Sequence, residues 1–199
     1  RRDGTPRPSL DVVRECWEPL SRTSDVVELA EGPKLSVIVC TYKGSATLVE
    51  CLDSLTTLDY PDYEVLVVND GSDDRVSEIV ATYDSIREIK IDHVGLSAAR
   101  NVGAKEAKGE VFVYTAADCI AVAAWLMWIP KQLLADPELG CAGGPNIPPA
   151  PGSEMQARII AAPGGPSHDL ISVTRAEHLP GCHMAGGRAG FEGVGGFNP

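Results

Sequence analysis

The stretch LSVIVCTYKGSATLVECLDSLTTLDYPDYEVLVV, residues 35–68, decides the fold. It begins and ends with short, almost continuous apolar runs, LSVIVC and YEVLVV, which are typical of strands buried on both faces of a sheet. Ser45 stands between them as a candidate helix cap. Behind it, apolar residues recur at the spacing of one helix face: Leu48, Cys51, Leu52, Leu55 and Leu58. A strand, a helix and a second strand in this order predict a right-handed parallel crossover.

The same alternation continues along the chain. We predict further strands at Ile89–Val94 and Glu110–Thr115, which carry the runs IKIDHV and EVFVYT. Helical patterns lie between and after them, with Gly109 as the stop of the second helix and Pro130 interrupting the third: Val76–Tyr83, Leu96–Ala107 and Ala123–Asp136. The sequence therefore predicts an α/β fold, an open and mostly parallel sheet with helices on both faces.

Composition divides the chain into three parts. Its 199 residues are 44% hydrophobic, which is enough to bury one sizeable core. Residues 1–33 are charged and broken by prolines, with one candidate amphipathic helix at Ser9–Trp17, and are interpreted as a leader. Residues 34–140 hold the strand and helix alternation. Residues 141–199 are rich in Gly and Pro, which indicates loops over a site or a less regular subdomain.

Charge and cysteine usage narrow the class of protein. Asp and Glu number 28 against 17 Lys and Arg, a formal charge of −11, which disfavours nucleic acid as a partner. The six cysteines are scattered and form no CxxC pair, so we expect reduced thiols and a cytoplasmic protein. No secretory signal opens the chain. The one apolar stretch of membrane-spanning length, Val111–Pro130, has Asp118 near its middle, and a strand, a polar loop and a helix explain it better.

Polar residues follow three of the predicted strands at the point where each ends. The first strand ends in TYK (residues 41–43), the second in NDGSDD (residues 69–74) and the fourth in AADC (residues 116–119). Ligands of open parallel sheets bind outside the carboxyl ends of the strands. We therefore expect these three segments to meet at one edge and to form the site.

These residue types suit a nucleoside diphosphate. The ring of Tyr42 can stack on a base, Asp70 can accept a base N–H, and Asp118 can hold a divalent cation that neutralises phosphate. The helix that begins near Leu96 offers free backbone N–H groups, and Arg100 one turn later offers a fork for phosphate oxygens.

Simpler interpretations of the same residues stay open at this point. Tyr42 could be a packing residue at a strand end, Asp70 with Gly71 a plain turn, and Arg100 a solvated helix residue. Asp118 lies between the apolar runs VFVYTAA and CIAVAAWLMW, where an unpaired carboxylate would be costly. This position favours a functional role for Asp118.

Two other kinds of site fit less well. His178, Cys182 and His183 resemble zinc ligands, but a fourth ligand at metal-site spacing is missing, so we favour a loop role. The turn after the first strand, residues 41–45, lacks the glycines of a GxGxxG dinucleotide motif. Without that motif, hydride transfer from a dinucleotide cofactor is disfavoured.

Four motifs in order resemble the family 2 inverting glycosyltransferases: PKLSVIVCTYKGSATLVECLDSL, YEVLVVNDGSDD, GLSAARNVGAKEAKGE and VFVYTAADC. The resemblance runs from about Pro33 to Asp136. Later segments, GGPN, PGCHMA and VGGFNP, resemble those of many bacterial members and extend it toward Pro199.

The resemblance implies a GT-A fold that binds a nucleotide sugar, usually a UDP-sugar, with Mg²⁺ or Mn²⁺, and transfers the sugar with inversion. Thr41 and Tyr42 match the segment around the base, with Tyr42 stacking on uracil. Asp70 matches the Asp that hydrogen-bonds the uracil ring, and Arg100 a residue near the diphosphate. Asp118 matches the last Asp of the DxD-type motif, which reaches the metal.

The chain departs from the family pattern in two places. Ala116 stands where the first Asp of the DxD motif is expected. The general base, an Asp that follows the GGF segment, is expected beyond Pro199. We therefore expect this chain to be the donor-binding part of a longer glycosyltransferase, with its catalytic residue outside the sequence given.

The sequence leaves three candidate functions. The first is a metal-assisted inverting glycosyltransferase of bacterial polysaccharide or glycolipid synthesis, acting on an unknown glycan or lipid-linked acceptor at the inner face of the membrane. The second is a non-catalytic nucleotide-sugar-binding domain, which Ala116 and the missing base would suit. The third is a nucleotidyltransferase, and the Gly-rich phosphate loop expected after its first strand is absent.

Overall fold

The computed structural model describes residues 32–135, 139–144 and 179–199. The helix predicted at Ser9–Trp17 and the candidate ligand His178 lie outside the described residues. Residues 29–143 and 181–199 belong to one compact unit, which contains the sheet.

The described residues form one six-stranded sheet with helices on both of its faces. The strands are β1 (Leu35–Thr41), β2 (Tyr63–Asp70), β3 (Ile86–Ile91), β4 (Val111–Ala116), β5 (Cys141–Gly143) and β6 (Met184–Gly187). The helices are α1 (Ser45–Leu55), α2 (Val76–Val80), α3 (Leu96–Glu106), α4 (Trp125–Ala135) and α5 (Arg188–Gly193). The strand order is β3-β2-β1-β4-β6-β5, in which β6 runs antiparallel to both of its neighbours and the other five strands run in one direction. The predicted mostly parallel α/β sheet is confirmed.

Two separate apolar clusters cover the two faces of the sheet. Side chains of α1, α2 and α4 pack on one face, over the inward residues of β1 such as Val37 and Val39. Helix α3 covers the other face together with Phe191 and Phe197, over Ile38 and Phe112. Both faces are therefore covered, which explains why β1, β2 and β4 are continuous apolar runs.

The third strand differs from its prediction in position and burial. It runs over Ile86–Ile91 and not over Ile89–Val94. Its pairing with β2 ends where Asp70 lies opposite Ile91, so the following residues have no strand to pair with. Because β3 is an edge strand, most of its residues are only partly buried, and the expected burial on both faces is wrong there.

Some helix ends also differ from the sequence pattern. Helix α1 ends at Leu55 and α2 at Val80, earlier than predicted. Ser45 is not a cap, because Gly44 precedes the helix as its N-cap and forms no side-chain cap. The backbone N–H of Ser45 donates instead to the Asp74 carboxylate, 3.0 Å away. The carboxylate that satisfies this helix terminus thus comes from the loop after β2.

The stretch Val111–Pro130 is a strand, a loop and the start of a helix, as predicted. Helix α4 continues through Pro130, so the predicted interruption there is wrong. Among the described residues, no helix combines the length and the apolar character needed to cross a bilayer.

Arg188 attaches the C-terminal segment to the sheet domain. Its guanidinium donates hydrogen bonds to the backbone carbonyls of Ala107 and Gly109, at 2.8 Å each. The same group lies over the ring of Phe112, 4.7 Å from its centroid. These contacts join the start of α5 to the loop after α3, at the amino end of β4.

We predict that Gly103→Ala lowers the free energy of unfolding. A Cβ at this position in α3 would lie 2.5 Å from Ile38 Cγ2 and 3.1 Å from Val68 Cγ2, so the helix would have to move away from the sheet. Overpacking of this kind costs about 1–3 kcal/mol, and the helix propensity of Ala returns at most about 1 kcal/mol. Urea unfolding followed by circular dichroism measures the difference.

Gly193→Ala is the matched control. Gly193 also lies in a helix, but nothing stands within 4 Å of a Cβ built there. Its stability should equal or exceed that of the wild type. Equal stability of the two variants would contradict the close approach of α3 to β1 and β2.

Candidate functional site

The carboxyl ends of β1, β2 and β4 lie side by side. In the sheet register Thr41 is opposite Asn69 of β2, and Cys40 is opposite Ala116 of β4. The polar segments that follow these strands therefore begin at one edge, as the sequence predicts.

Hydrogen bonds join the loop after β1 to the loop after β2. The backbone N–H of Lys43 donates to Ser72 Oγ at 3.0 Å, and the Lys43 ammonium lies 3.2 Å from the Asp73 carboxylate. Lys43 has a φ of +55°, an uncommon conformation for a residue with a side chain. Asn69 fixes the second loop, because its Oδ1 accepts the N–H of Ser72 at 3.0 Å while its amide donates to Glu88 at 2.9 Å.

Asp70 is the most buried charged residue of this edge, with 3% of its surface exposed. Its Oδ1 accepts the backbone N–H of Val94 at 2.8 Å, and its Oδ2 accepts that of Gly95 at 3.0 Å. Nδ1 of His93 lies 3.0 Å from the same Oδ2. Asp70 therefore fixes the segment between β3 and α3 as well as ending β2.

Tyr42 projects from the end of β1 and is 46% exposed. Its ring is stacked on the His93 ring, with the centroids 4.0 Å apart and the planes at 20°. The Lys43 ammonium lies over the Tyr42 ring at 5.3 Å. The tyrosine is thus held outside the core, against a second aromatic ring.

Thr41 lies directly under this edge, and its side chain is buried. A Cβ at Gly44 would collide with its hydroxyl, so the close approach of the loop requires glycine. Among the described residues, the Thr41 hydroxyl and the Tyr114 hydroxyl are the buried side-chain atoms without a hydrogen-bond partner. Burial also raises the pKa of Tyr114 above its usual range, so this phenol stays protonated.

Arg100 is held by the C-terminal segment. Its guanidinium donates to the carbonyl of Gly181 at 2.9 Å and lies over the rings of Phe197 and Tyr114, 5.2 and 6.0 Å from their centroids. The interpretation of Arg100 as a solvated helix residue is therefore wrong. One of its five N–H donors is used by Gly181, and the others could still serve a phosphate.

Asn101, which the sequence analysis did not single out, holds the same segment. Its side-chain amide donates to the carbonyl of Phe197 at 2.8 Å, and its Oδ1 accepts the Phe197 N–H at 2.8 Å. Gly196 has a φ of +81°, and a Cβ there would lie 2.6 Å from Oδ1 of Asn101. The second turn of α3 thus fixes the chain at both Gly181 and Phe197.

Asp118 is exposed, in the turn that follows β4. The expectation that its carboxylate is costly among apolar residues is wrong, because the two apolar runs belong to different elements. One is β4, and the other begins in a surface loop where Ile120 and Val122 are 69% and 67% exposed. The Cys119 thiol lies 3.7 Å from Oδ1 of Asp118.

No group of three metal-ligating side chains occurs within residues 32–135, 139–144 and 179–199. Neither a closed zinc site nor a metal cage made by the protein alone is present in that part of the chain. Mg²⁺ in phosphate sites is commonly held by one or two carboxylates together with substrate phosphates. The single exposed carboxylate of Asp118 fits that arrangement.

Four described cysteines, Cys40, Cys51, Cys119 and Cys141, form no disulfide, and each has a raised pKa, which lowers the reactivity of its thiol. Burial raises the pKa of Cys40 and of Cys51 to about 12, so both remain protonated at neutral pH. A hydrogen bond with the Cys182 thiol, together with burial, raises the pKa of Cys119. The ring of His183 packs edge-on against Trp125, 5.7 Å between centroids.

Comparison with known proteins identifies the family. The model of Glycosyl transferase family 2 matches residues 36–182, and the chain therefore belongs to this family. It is 35% identical over 101 residues to glycosyltransferase AglE of Haloferax volcanii, a match that covers 47% of this chain and 33% of AglE. It is 36% identical over 92 residues to the poly(ribitol-phosphate) beta-N-acetylglucosaminyltransferase TarS of Staphylococcus aureus, covering 43% of this chain and 16% of TarS.

The fold agrees with this assignment. The mannosyltransferase PcManGT of Pyrobaculum calidifontis, solved with GDP-Man and Mn²⁺, superposes with a TM-score of 0.61 at 24% identity, over 95% of this chain and 55% of that one. The described sheet is thus of the GT-A type. The matched part of this chain spans a third or less of the two curated relatives.

We predict that Asp70→Asn destabilises the protein by about 2 kcal/mol, the usual worth of buried hydrogen bonds to a charged group. An amide presents an N–H toward one of the two backbone donors, Val94 or Gly95, that now face carboxylate oxygens. Asp73→Asn is the control, since Asp73 is exposed and pairs with Lys43 at the surface, and it should change stability by less than about 0.5 kcal/mol. Urea unfolding compares the variants, and equal stability would contradict the anchoring role of Asp70.

Proposed function

We propose that this chain binds the nucleotide of a nucleotide-sugar donor at the carboxyl edge of β1, β2 and β4, and that it is the donor-binding part of a metal-assisted inverting glycosyltransferase. The observation that carries this proposal is that the carboxyl ends of these three strands lie side by side, with Tyr42, Asp70 and Asp118 at or just after them. An exposed ring, a buried acceptor and an exposed carboxylate are the groups needed for a base, a base N–H and a phosphate-bound cation.

The base is the first part of the ligand that the site would recognise. Tyr42 stacks on it, and Asp70 accepts a ring N–H such as that of uracil, which favours UDP as the nucleotide. Thr41 contributes through its backbone, because its side chain is buried. Arg100 lies near the diphosphate and also orients the segment around Gly181.

Asp118 would hold Mg²⁺ or Mn²⁺, which neutralises the charge that develops on the departing diphosphate. Ala116 supplies no second carboxylate, so phosphate oxygens and water would supply the other ligands of a bound cation. The acceptor hydroxyl needs a general base within hydrogen-bond reach, and we place that base beyond Pro199, as the family resemblance implies.

The names of relatives such as the poly-beta-1,6-N-acetyl-D-glucosamine synthase of Staphylococcus epidermidis support a role in bacterial polysaccharide or glycolipid synthesis. TarS is named as a glycosyltransferase that acts on poly(ribitol-phosphate). For this chain we propose a glycan or lipid-linked acceptor, as the family resemblance implies. In this arrangement residues 34–140 bind the donor and residues 141–199 face the acceptor. The thiols of Cys40, Cys51, Cys119 and Cys141, which form no disulfide, support a reducing compartment, the cytoplasm.

A second candidate is a nucleotide-sugar-binding domain without catalysis. Ala116 favours it, because the DxD-type motif keeps one carboxylate of two. The two functions share the binding site and differ in turnover by the longer protein.

We predict that UDP binds in the presence of Mn²⁺ and that Asp118→Ala removes the metal-dependent part of the affinity, since a carboxylate is the hard oxygen ligand that Mn²⁺ requires. Isothermal titration calorimetry with Mn²⁺ and then with EDTA measures it. Asp84→Ala is the control, because Asp84 is an exposed carboxylate that precedes β3, at the opposite edge of the sheet. Equal UDP affinity of Asp118→Ala and wild type, with and without metal, would remove Asp118 from the site.

We predict that Tyr42→Ala weakens UDP binding by about 1–3 kcal/mol, the measured range for bases stacked on aromatic side chains. Tyr42→Phe is the control, since it keeps the ring and should stay close to the wild type. The same titration measures both variants. Unchanged affinity of Tyr42→Ala would show that the ring is only a packing group.

A further inference from the structure

His93 contacts both side chains that the proposed site assigns to the base. Its ring is stacked on Tyr42, and its Nδ1 lies 3.0 Å from the Asp70 carboxylate. Tyr42 follows β1 and Asp70 ends β2, whereas His93 follows β3. The His93 side chain, in the loop after β3, therefore contacts functional groups at the carboxyl ends of both β1 and β2.

The proton on His93 is fixed by its surroundings. Nδ1 faces two oxygens of Asp70, the backbone carbonyl at 3.1 Å and Oδ2 at 3.0 Å. Neither oxygen can donate when the carboxylate is ionised, so Nδ1 must carry the hydrogen and donate it. The imidazole thus acts on Asp70 as a donor and on Tyr42 as a stacking ring at the same time.

The backbone is shaped to bring His93 to this place. Gly71 has a φ of +72°, and a Cβ there would lie 2.7 Å from the His93 N and 3.0 Å from its Cβ. Only glycine allows the turn after β2 to approach the loop after β3 so closely. The following N–H groups, of Val94 and Gly95, both bind Asp70.

We propose that His93 is a positioning residue of the nucleobase site and that it sets the preference for the base. This inference rests on the proposed function. By donating to Asp70 it orients the carboxylate, and together with Val94 and Gly95 it uses three of about four acceptor positions of that group. The remaining position can accept an N–H and repels a ring nitrogen that carries a lone pair.

The chemistry of the bases turns this geometry into selectivity. Uracil presents an N–H at its N3 position, whereas the N3 of cytosine is an acceptor. A fixed carboxylate therefore favours UDP over CDP, and a carboxylate free to rotate discriminates less. The stack on His93 likewise fixes the plane in which Tyr42 meets the base.

The test is calorimetric titration of UDP and of CDP, with Mn²⁺, into the wild type, His93→Ala, His93→Asn and Asp92→Asn. His93→Ala should weaken UDP binding about tenfold, within the range of a lost stacking and positioning contact, and should bring the ratio of UDP to CDP affinity toward one. His93→Asn keeps an N–H donor beside Asp70 and should retain part of that ratio. Asp92→Asn changes an exposed side chain of the same loop and should match the wild type.

The ratio of UDP to CDP affinity distinguishes a positioning role of His93 from a general loss of structure. A variant that merely unfolds in part would lose affinity for both nucleotides by the same factor, and thermal unfolding would show it. Equal losses for UDP and CDP, or no loss for either in His93→Ala, would overturn the role of His93. Failure of the wild type to bind either nucleotide would overturn the proposed function itself, and the inference with it.

Discussion

The carboxylate of Asp70 is the constraint on which the arrangement of this edge depends. A charged group with 3% exposure must receive hydrogen bonds, and within the described residues its backbone donors are the N–H groups of Val94 and Gly95. The chain must therefore leave the sheet directly after Ile91 and turn back toward the end of β2. That turn places His93 against Tyr42 and sets the start of α3, where Gly95 has a φ of +91°.

Helix α3 connects the edge that Asp70 holds to the C-terminal segment. Once its first turn is fixed by the bonds to Asp70, Arg100 and Asn101 face Gly181 and Phe197 and hold them by side-chain hydrogen bonds. The strand β6 and helix α5 lie between these two points, and Arg188 ties their junction to the carbonyls after α3. Helix α3 thus supports the candidate nucleotide site and also holds the C-terminal segment at Gly181 and Phe197.

The sequence predicts the centre of this fold better than its margins. Strands β1, β2 and β4 are covered on both faces, so each is an apolar run that stands out. Strand β3 has one neighbour and partial burial, so the apolar run IKIDHV suggests a strand three residues too late. That shift hid His93 inside a predicted strand, although it belongs to the loop that contacts Tyr42 and Asp70.

For the site residues, likewise, the sequence predicts some features and not others: it predicts their positions but not their contacts. Tyr42, Asp70 and Asp118 follow buried strands, so the sequence could place them at one edge. Their contacts could not be predicted, because these depend on the backbone turns at Gly71 and Gly95 and on side chains from distant segments. The exposure of Asp118 was also missed, since two apolar runs in sequence do not reveal the loop between them.

A single carboxylate at the end of β4 has an energetic consequence for the proposed site. With Ala116 in place of a second acidic residue, Asp118 would be the one carboxylate of this strand end that holds a bound Mg²⁺. In the proposed site, phosphate oxygens of the nucleotide and water would supply the remaining ligands. The affinity for metal and the affinity for diphosphate would then depend on each other, and each ligand would strengthen the binding of the other by the same factor. The proposed base contacts of Tyr42 and Asp70 do not involve the metal. They would fix the position of the nucleotide while the metal binds.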